Sequence, residues 1–283
     1  MGTVSYPCPL LRIIALALLA LLLPAQPAHA QQQARSFAIT HWNGNCSGST
    51  RVWWDDMCMA WRKEMGARGW DQWWANFQHV RAWRFGDPSR VPWGLDNGGG
   101  GADRGHAALI CTHGGHNNTD GWVGSMHTRE NNTCEIRATQ MNLGTASGGR
   151  LRFWHMSSCN SVRWNQRDRW WNAAAGRVHV ITGFHGLMYI GSKYVEEYRQ
   201  VARRGHLNTG VGRAWVDQMH HVDHWYNAWK TVCPIALGYG NTQSASSNAL
   251  NERYGSQWQD RAPNWRTTRY VSKCDPDDGP KLP

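Results

Sequence analysis

Two hydrophobic periods run through this chain, one of strand type and one of helix type. Residues 37–40 form a short apolar run that predicts a first strand, and 43–49 is a polar loop containing Cys46. From 52 to about 83 the spacing turns helical, with Trp54, Met57, Trp61 and Met65 recurring every three or four positions. Gly66 and Gly69 divide that stretch into two predicted helices, the second carrying Trp70, Trp73, Trp74 and Phe77. Loop signals follow at Asp87-Pro88 and over 92–101. The runs 107–112, 151–156 and 178–182 have strand length and composition, each closed by Gly-rich or polar residues. Residues 116–150, rich in Asn, Thr and Gly, predict at most marginal strands. Helices are predicted over 163–175, 193–203 and 212–230, a further strand over 235–239, and an irregular tail.

Strands alternating with helices predict an α/β fold, a mostly parallel sheet flanked by helices. A Trp-rich helical section precedes it. The step from strand 151–156 to strand 178–182 should cross over right-handedly. No linker or fixed-period repeat divides the chain, so 31–283 reads as one domain.

The first thirty residues change this picture. Arg12 precedes an apolar stretch over 13–23, and Ala28-His29-Ala30 fits a small-residue cleavage site. That is the pattern of a secretory signal peptide, with cleavage near Ala30 and a secreted or periplasmic destination. No other run approaches the roughly 18 apolar residues of a membrane span, so no transmembrane segment is expected after cleavage. The formal charge is +10, and Arg12 is the only charged residue in the leader. The basic residues are scattered and no nucleic-acid motif is present, so a solvated cationic surface is expected rather than nucleic-acid binding.

Seven cysteines follow the leader: Cys46, Cys58, Cys111, Cys134, Cys159, Cys233 and Cys274. Export permits disulfides, and an odd number leaves at least one thiol unpaired. Cys159 as the free one leaves six that could pair. Cys111, in mid-strand, could equally be a small buried hydrophobe.

The chemistry concentrates where two apolar runs end. His113-Gly114-Gly115 follows 107–112, and Ser157-Ser158-Cys159 follows 151–156. If these are neighbouring parallel strands, their carboxyl ends meet at the edge where open α/β sheets bind ligands. Cys159 is then the candidate nucleophile and His113 its base and acid. The predicted helix after Cys159 would lower the thiol pKa through its amino-terminal dipole. The N–H groups of Gly114 and Cys159 form a candidate oxyanion hole. Gly115, Phe184 and His185 are the candidates for lining the substrate cleft.

An apolar strand ending in His-Gly, followed 46 residues later by a strand ending in a small residue and Cys, resembles the caspase-like (clan CD) cysteine peptidases. The resemblance implies a His–Cys dyad on a Rossmann-like sheet, with His113, Cys159 and Gly114 in the roles just given. Instead of Ala-Cys before a Gly-rich stretch, this chain has Ser157-Ser158-Cys159-Asn160-Ser161. Residues 105–230 are also similar to a bacterial family of secreted domains of unknown function. The matching pieces are Thr112-His113-Gly114-Gly115, the run from Gly149 to Cys159, the stretch from Val178 to His185, and Gly212-Arg213-Ala214-Trp215. The expected function is an exported cysteine hydrolase acting on a polypeptide through a thioacyl intermediate, with no cofactor.

Two other readings use different residues. A zinc hydrolase would draw on His113 and His116, or on His220 and His224 with His221 and Asp223 nearby. The chain has no His-Glu-x-x-His and no Cys-x-x-Cys, so no metal site is assigned. The 19 tryptophans, against 5 phenylalanines, could bind cell-envelope glycan in a non-catalytic module. Their helical spacing assigns most of them to the core. Asn45, Asn117 and Asn131 open glycosylation sequons, which matter only in a eukaryotic host.

Overall fold

A computed structural model describes residues 31–42, 45–222, 231–256 and 258–283. The expected signal segment lies outside the described residues. Residues Gln32–Pro283 form one compact unit.

Strand β1 (Gln33–Ala38) leads into helix α1 (Trp53–Ala67), whose buried positions Trp54, Met57, Trp61 and Met65 keep the predicted three-and-four spacing. The expected second helix is instead strand β2 (Asp71–Asn76), parallel to β1 with Gln33 opposite Asp71. Gly69 takes φ +86°, a conformation other residues resist, and stops α1. The four-residue interval between Trp70 and Trp74 therefore does not mark one helix face: Trp70 is buried, while Trp74 on the edge strand is 53% exposed.

The predicted central strands are present as β3 (Ala107–Cys111), β7 (Phe153–Ser157) and β8 (Val180–His185). Between β3 and β7 lies a three-stranded antiparallel sheet, β4 (Gly114–Asn117), β5 (Gly121–Glu130) and β6 (Thr133–Arg137). The β5–β6 hairpin closes on Asn131-Asn132, both with positive φ, which is the two-residue turn suited to twisted strands. Helix α2 (Arg167–Ala173) occupies the core of its predicted range, and α3 (Ser192–Leu207) follows β8. Helix α4 (Val211–Met219) is shorter than predicted: strand β9 (His221–Val222) begins two residues after its end and pairs with β10 (Thr231–Gly240). The tail contains helix α5 (Gln243–Ala249) and strand β11 (Trp265–Tyr270).

The main sheet runs β11-β10-β8-β7-β3-β1-β2. Its five strands from β8 to β2 are mutually parallel, and β10 is antiparallel to both of its neighbours. The fold is thus α/β, with a mostly parallel sheet flanked by helices. Both faces are covered, which is why the central strands read as continuous apolar runs. Ala107, Leu109 and Cys111 face Trp54, Trp61, Tyr198 and Trp215 of α1, α3 and α4. Ala108 and Ile110 face Trp122, Met126 and Ile136 of the small sheet and Trp170 of α2. Strand order reverses between β1 and β3, so the carboxyl ends of these strands mark the crevice where such sheets take ligands.

Three disulfides staple the unit: Cys46–Cys134, Cys58–Cys111 and Cys233–Cys274. Cys111 is therefore a disulfide partner rather than a packed thiol. Among the described residues Cys159 is the only cysteine outside a disulfide. No helix among the described residues is long and apolar enough to cross a membrane.

Candidate functional site

The ladder between β3 and β7 places Cys111 opposite Ser157. His113 and Cys159 each lie two residues beyond that pair, on adjacent strand ends. The Thr112 N–H donates to the Ser157 carbonyl at 3.2 Å, extending the pairing to the last residue before His113.

The turn carrying Cys159 is fixed from several directions. Asn160 adopts φ +54°, which Asn tolerates better than most residues, and its N–H donates to the Gly186 carbonyl at 2.8 Å. Val162 donates to the Phe184 carbonyl at 3.0 Å, so the turn clips back onto the end of β8. Trp122 Nε1 on β5 donates to Ser158 Oγ at 3.0 Å. Gly114 lies against this turn: a Cβ there would collide with Ser158 Oγ and come within 2.5 Å of the Cys159 carbonyl. His113 accepts at its carbonyl from the Ser125 N–H, 2.9 Å away. Gly114 and Gly124 are then a non-hydrogen-bonded pair of the β4–β5 ladder, which directs the Gly114 N–H away from β5.

His113 sits in an aromatic corner, its ring 4.6 Å from Trp42 and 4.9 Å from Trp54 between centroids. Its Nε2 lies 2.7 Å from the Ser49 carbonyl. A carbonyl only accepts, so Nε2 carries the hydrogen and Nδ1 keeps the lone pair. Burial holds the imidazole below its ordinary pKa; the Ser49 bond works against that, and the Arg51 charge adds to it.

Cys159 Sγ donates to the Met188 carbonyl at 3.6 Å and accepts from the Met188 N–H at 3.4 Å. No hydrogen bond joins it to His113. Burial pushes the thiol pKa up, chiefly by desolvating the thiolate, and Met188, as a hydrogen-bond partner, offsets part of that. The expected helix-dipole activation is absent: the residues after Cys159 form a turn, and α2 begins only at Arg167. The resting pair is a neutral thiol and a neutral imidazole.

A cleft of about 410 Å³ opens beside His113, lined by His113, Gly114, Gly115, His116, Val123 and Glu135 among others; Cys159 is not part of its lining. Gly115 is among the residues lining this cleft. Phe184 and His185 do not line this cleft. Phe184 is buried against Trp215, and His185 is fully enclosed. His185 accepts from the Trp164 N–H at Nδ1 and donates through Nε2 to the Pro280 carbonyl, 2.8 Å away. It ties the tail to the sheet.

For the metal reading, His116 Nδ1 accepts from Arg163 Nη1 at 2.9 Å, which sets a guanidinium against the candidate ligand. His220 follows the last residue of α4, so helical spacing does not carry on to His224. His224 and Asp223 lie outside the described residues, as does the side chain of His221. No group of three His, Cys, Asp or Glu suited to a metal ion occurs among the described residues. Trp54, Trp61, Trp122, Trp154, Trp170 and Trp215 are core residues, and among the described residues Trp53, Trp74 and Trp265 are the exposed indoles, on three separate elements.

The local patterns did not point to Ser49, Trp42 or Met188. Ser49 and Met188 act through backbone atoms, which leave no residue-type signature, and Trp42 adjoins a polar loop. No family model and no curated protein matches the chain.

Proposed function

We propose that this chain is an exported cysteine hydrolase, a peptidase of caspase-like type working through Cys159 and His113. The observation that carries the reading is the convergence of the one thiol outside a disulfide among the described residues with the His113-Gly114 loop. They meet on adjacent strand ends at the carboxyl edge of a parallel sheet, beside the strand-order reversal. Six cysteines are consumed in stapling the fold, and the seventh is spared at that edge. Disulfides of this number suit an oxidising compartment.

In this reading Cys159 Sγ attacks the scissile carbonyl carbon as its proton passes to His113 Nδ1. The oxyanion takes hydrogen bonds from the N–H groups of Gly114 and Cys159. His113 then gives the proton to the departing amine nitrogen, leaving a thioester. Water attacks the thioester, His113 accepts its proton and returns it to sulfur, and the acid is released. A neutral pair needs this coupled proton transfer, because no preformed thiolate is available. Ser49 holds the imidazole in the tautomer that leaves Nδ1 as base, the third-group role such pairs require.

The test is hydrolysis of a mixed peptide library by the wild type and by Cys159→Ala. Loss of turnover with an unchanged thermal transition supports the reading. Turnover retained in the variant overturns it.

A further inference from the structure

The segment after β11 is pinned at both ends. Cys274 is bonded to Cys233 on β10, and Leu282 is buried in the core beneath the sheet. The Leu282 N–H closes back on the Cys274 carbonyl at 2.8 Å. Between these anchors, Asp277 and Asp278 are exposed and contact the Leu187–Tyr189 segment and the turn that follows Cys159.

Their contacts fall on two pieces of that site. The Asp277 carbonyl accepts from the Leu187 N–H at 2.8 Å, and its carboxylate accepts from the Tyr189 hydroxyl at 3.3 Å. These two residues flank Met188, whose N–H and carbonyl both engage the Cys159 sulfur. Asp278 reaches the nucleophile turn itself. Its carboxylate accepts from Asn160 Nδ2 at 2.7 Å and lies 3.8 Å from Arg163 Nη1, which also donates to the Asp278 carbonyl at 3.4 Å. Gly186 has φ +83°, and a Cβ there would come within 2.5 Å of Pro276 and the Asp277 carbonyl, so the crossing is a close one. The Asp278 charge also works against a thiolate at Cys159.

We propose that residues 274–283 form an autoinhibitory strap: Asp277 and Asp278 hold the Met188 segment against Cys159, and the thiol is freed when the strap centre lifts from Asn160 and Arg163. The disulfide and Leu282 keep both ends in place, so opening requires only the central residues to move. Of the bonds that must break, those from Arg163 and Tyr189 are exposed and individually weak, while the Asn160–Asp278 bond is part-buried. The inference rests on Cys159 as the reactive thiol and is independent of the bond it cleaves.

The experiment is the rate of Cys159 carbamidomethylation at pH 8, read by intact mass with the disulfides in place. Wild type is compared with Asp277→Ala, Asp278→Gly (glycine keeps the left-handed backbone at φ +57°) and Arg163→Ala. The expected result is a rate at least 10-fold faster in each. The charge exchange Arg163→Asp with Asp278→Arg should bring the rate back toward wild type. Lys281→Ala, on the same segment but away from these contacts, should leave it unchanged. Rates within twofold of wild type in Asp277→Ala and Asp278→Gly, with unchanged thermal transitions, would overturn the strap. Faster alkylation with no hydrolysis in any variant would keep the strap and remove the peptidase reading.

Discussion

His113 Nε2 and the Ser49 carbonyl, 64 residues apart in sequence, lie 2.7 Å from each other, and that bond decides which ring nitrogen can act as a base. The segment bearing Ser49 is itself tethered. Cys46 is bonded to Cys134 on β6, and the Arg51 N–H donates to the Thr40 carbonyl at 2.7 Å. The Cys46–Cys134 disulfide thus tethers the segment whose Ser49 carbonyl sets the tautomer of the imidazole.

Replacing both Cys46 and Cys134 by Ser should therefore cost function as well as stability. The bridge spans 88 residues, so its loss should destabilise by about 3–4 kcal/mol. Peptide turnover should drop at least 10-fold at temperatures where the variant remains folded. Chemical denaturation and turnover measured on one preparation check both.

Gly114 and Gly115 should separate sharply. A Cβ at Gly114 meets the Ser158–Cys159 turn, whereas one at Gly115 meets nothing within 4 Å. Gly114→Ala should destabilise by roughly 1–3 kcal/mol and lower turnover at least 100-fold by displacing the thiol. Gly115→Ala should leave the denaturation midpoint within error.

The thiol should titrate late. Burial raises its pKa, so the pH midpoint of wild-type Cys159 alkylation should lie above the value of about 8.5 for a free cysteine. His113→Ala should shift that midpoint little and still reduce turnover at least 100-fold, since the imidazole acts during attack. A midpoint near 6 would indicate a preformed ion pair instead.

Stability should fall on the alkaline side because of Asp96. Its carboxyl is fully buried, neither oxygen has a hydrogen-bond partner, and Asp103 and Asp87 lie nearby. Desolvation, then those two neighbours, raise its pKa to about 9. The folded state keeps a proton that the unfolded chain releases near pH 4, so stability declines between about pH 4 and pH 9. Asp96→Asn should flatten that slope, leaving the share carried by Asp103, whose carboxyl is raised to about 7 by burial, and should stabilise the protein by on the order of 2 kcal/mol at pH 8. Thermal transitions from pH 5 to 9 measure it.

The acid limb has the opposite sign and different owners. Burial lowers His155 to about 3 and His106 to about 4. Both stay neutral in the folded state while the unfolded chain takes up protons below about pH 6.5, so their contribution is lost as pH falls from there. His106, whose Nδ1 accepts from the Gln33 N–H, is the milder site to alter. His106→Gln should make the fall in urea midpoint between pH 6.5 and 4.5 shallower.

The sequence by itself determined the features that depend on short-range pattern. Strands buried on both faces read as apolar runs, so β3, β7 and β8 and the residues ending them were legible, as was the stripe of α1. The odd cysteine count, with Cys159 spared, was legible too. Tertiary structure decided whatever rests on a distant partner. Residues 71–76 are a strand because β1 offers an open edge, although Trp70 and Trp74 keep a helical interval. Strand β5 has no apolar face strong enough to announce it, and its Asn131-Asn132 turn reads equally well as a sequon. Phe184 and His185 end a strand as predicted, but Trp215 packs over the first and the tail over the second. The state of Cys159 was least visible, since desolvation raises its pKa, with the Met188 backbone offsetting only part of the rise, where a helix dipole was expected to lower it. A local window carries periodicity and turn chemistry, whereas burial and backbone contacts depend on chain segments far away in sequence.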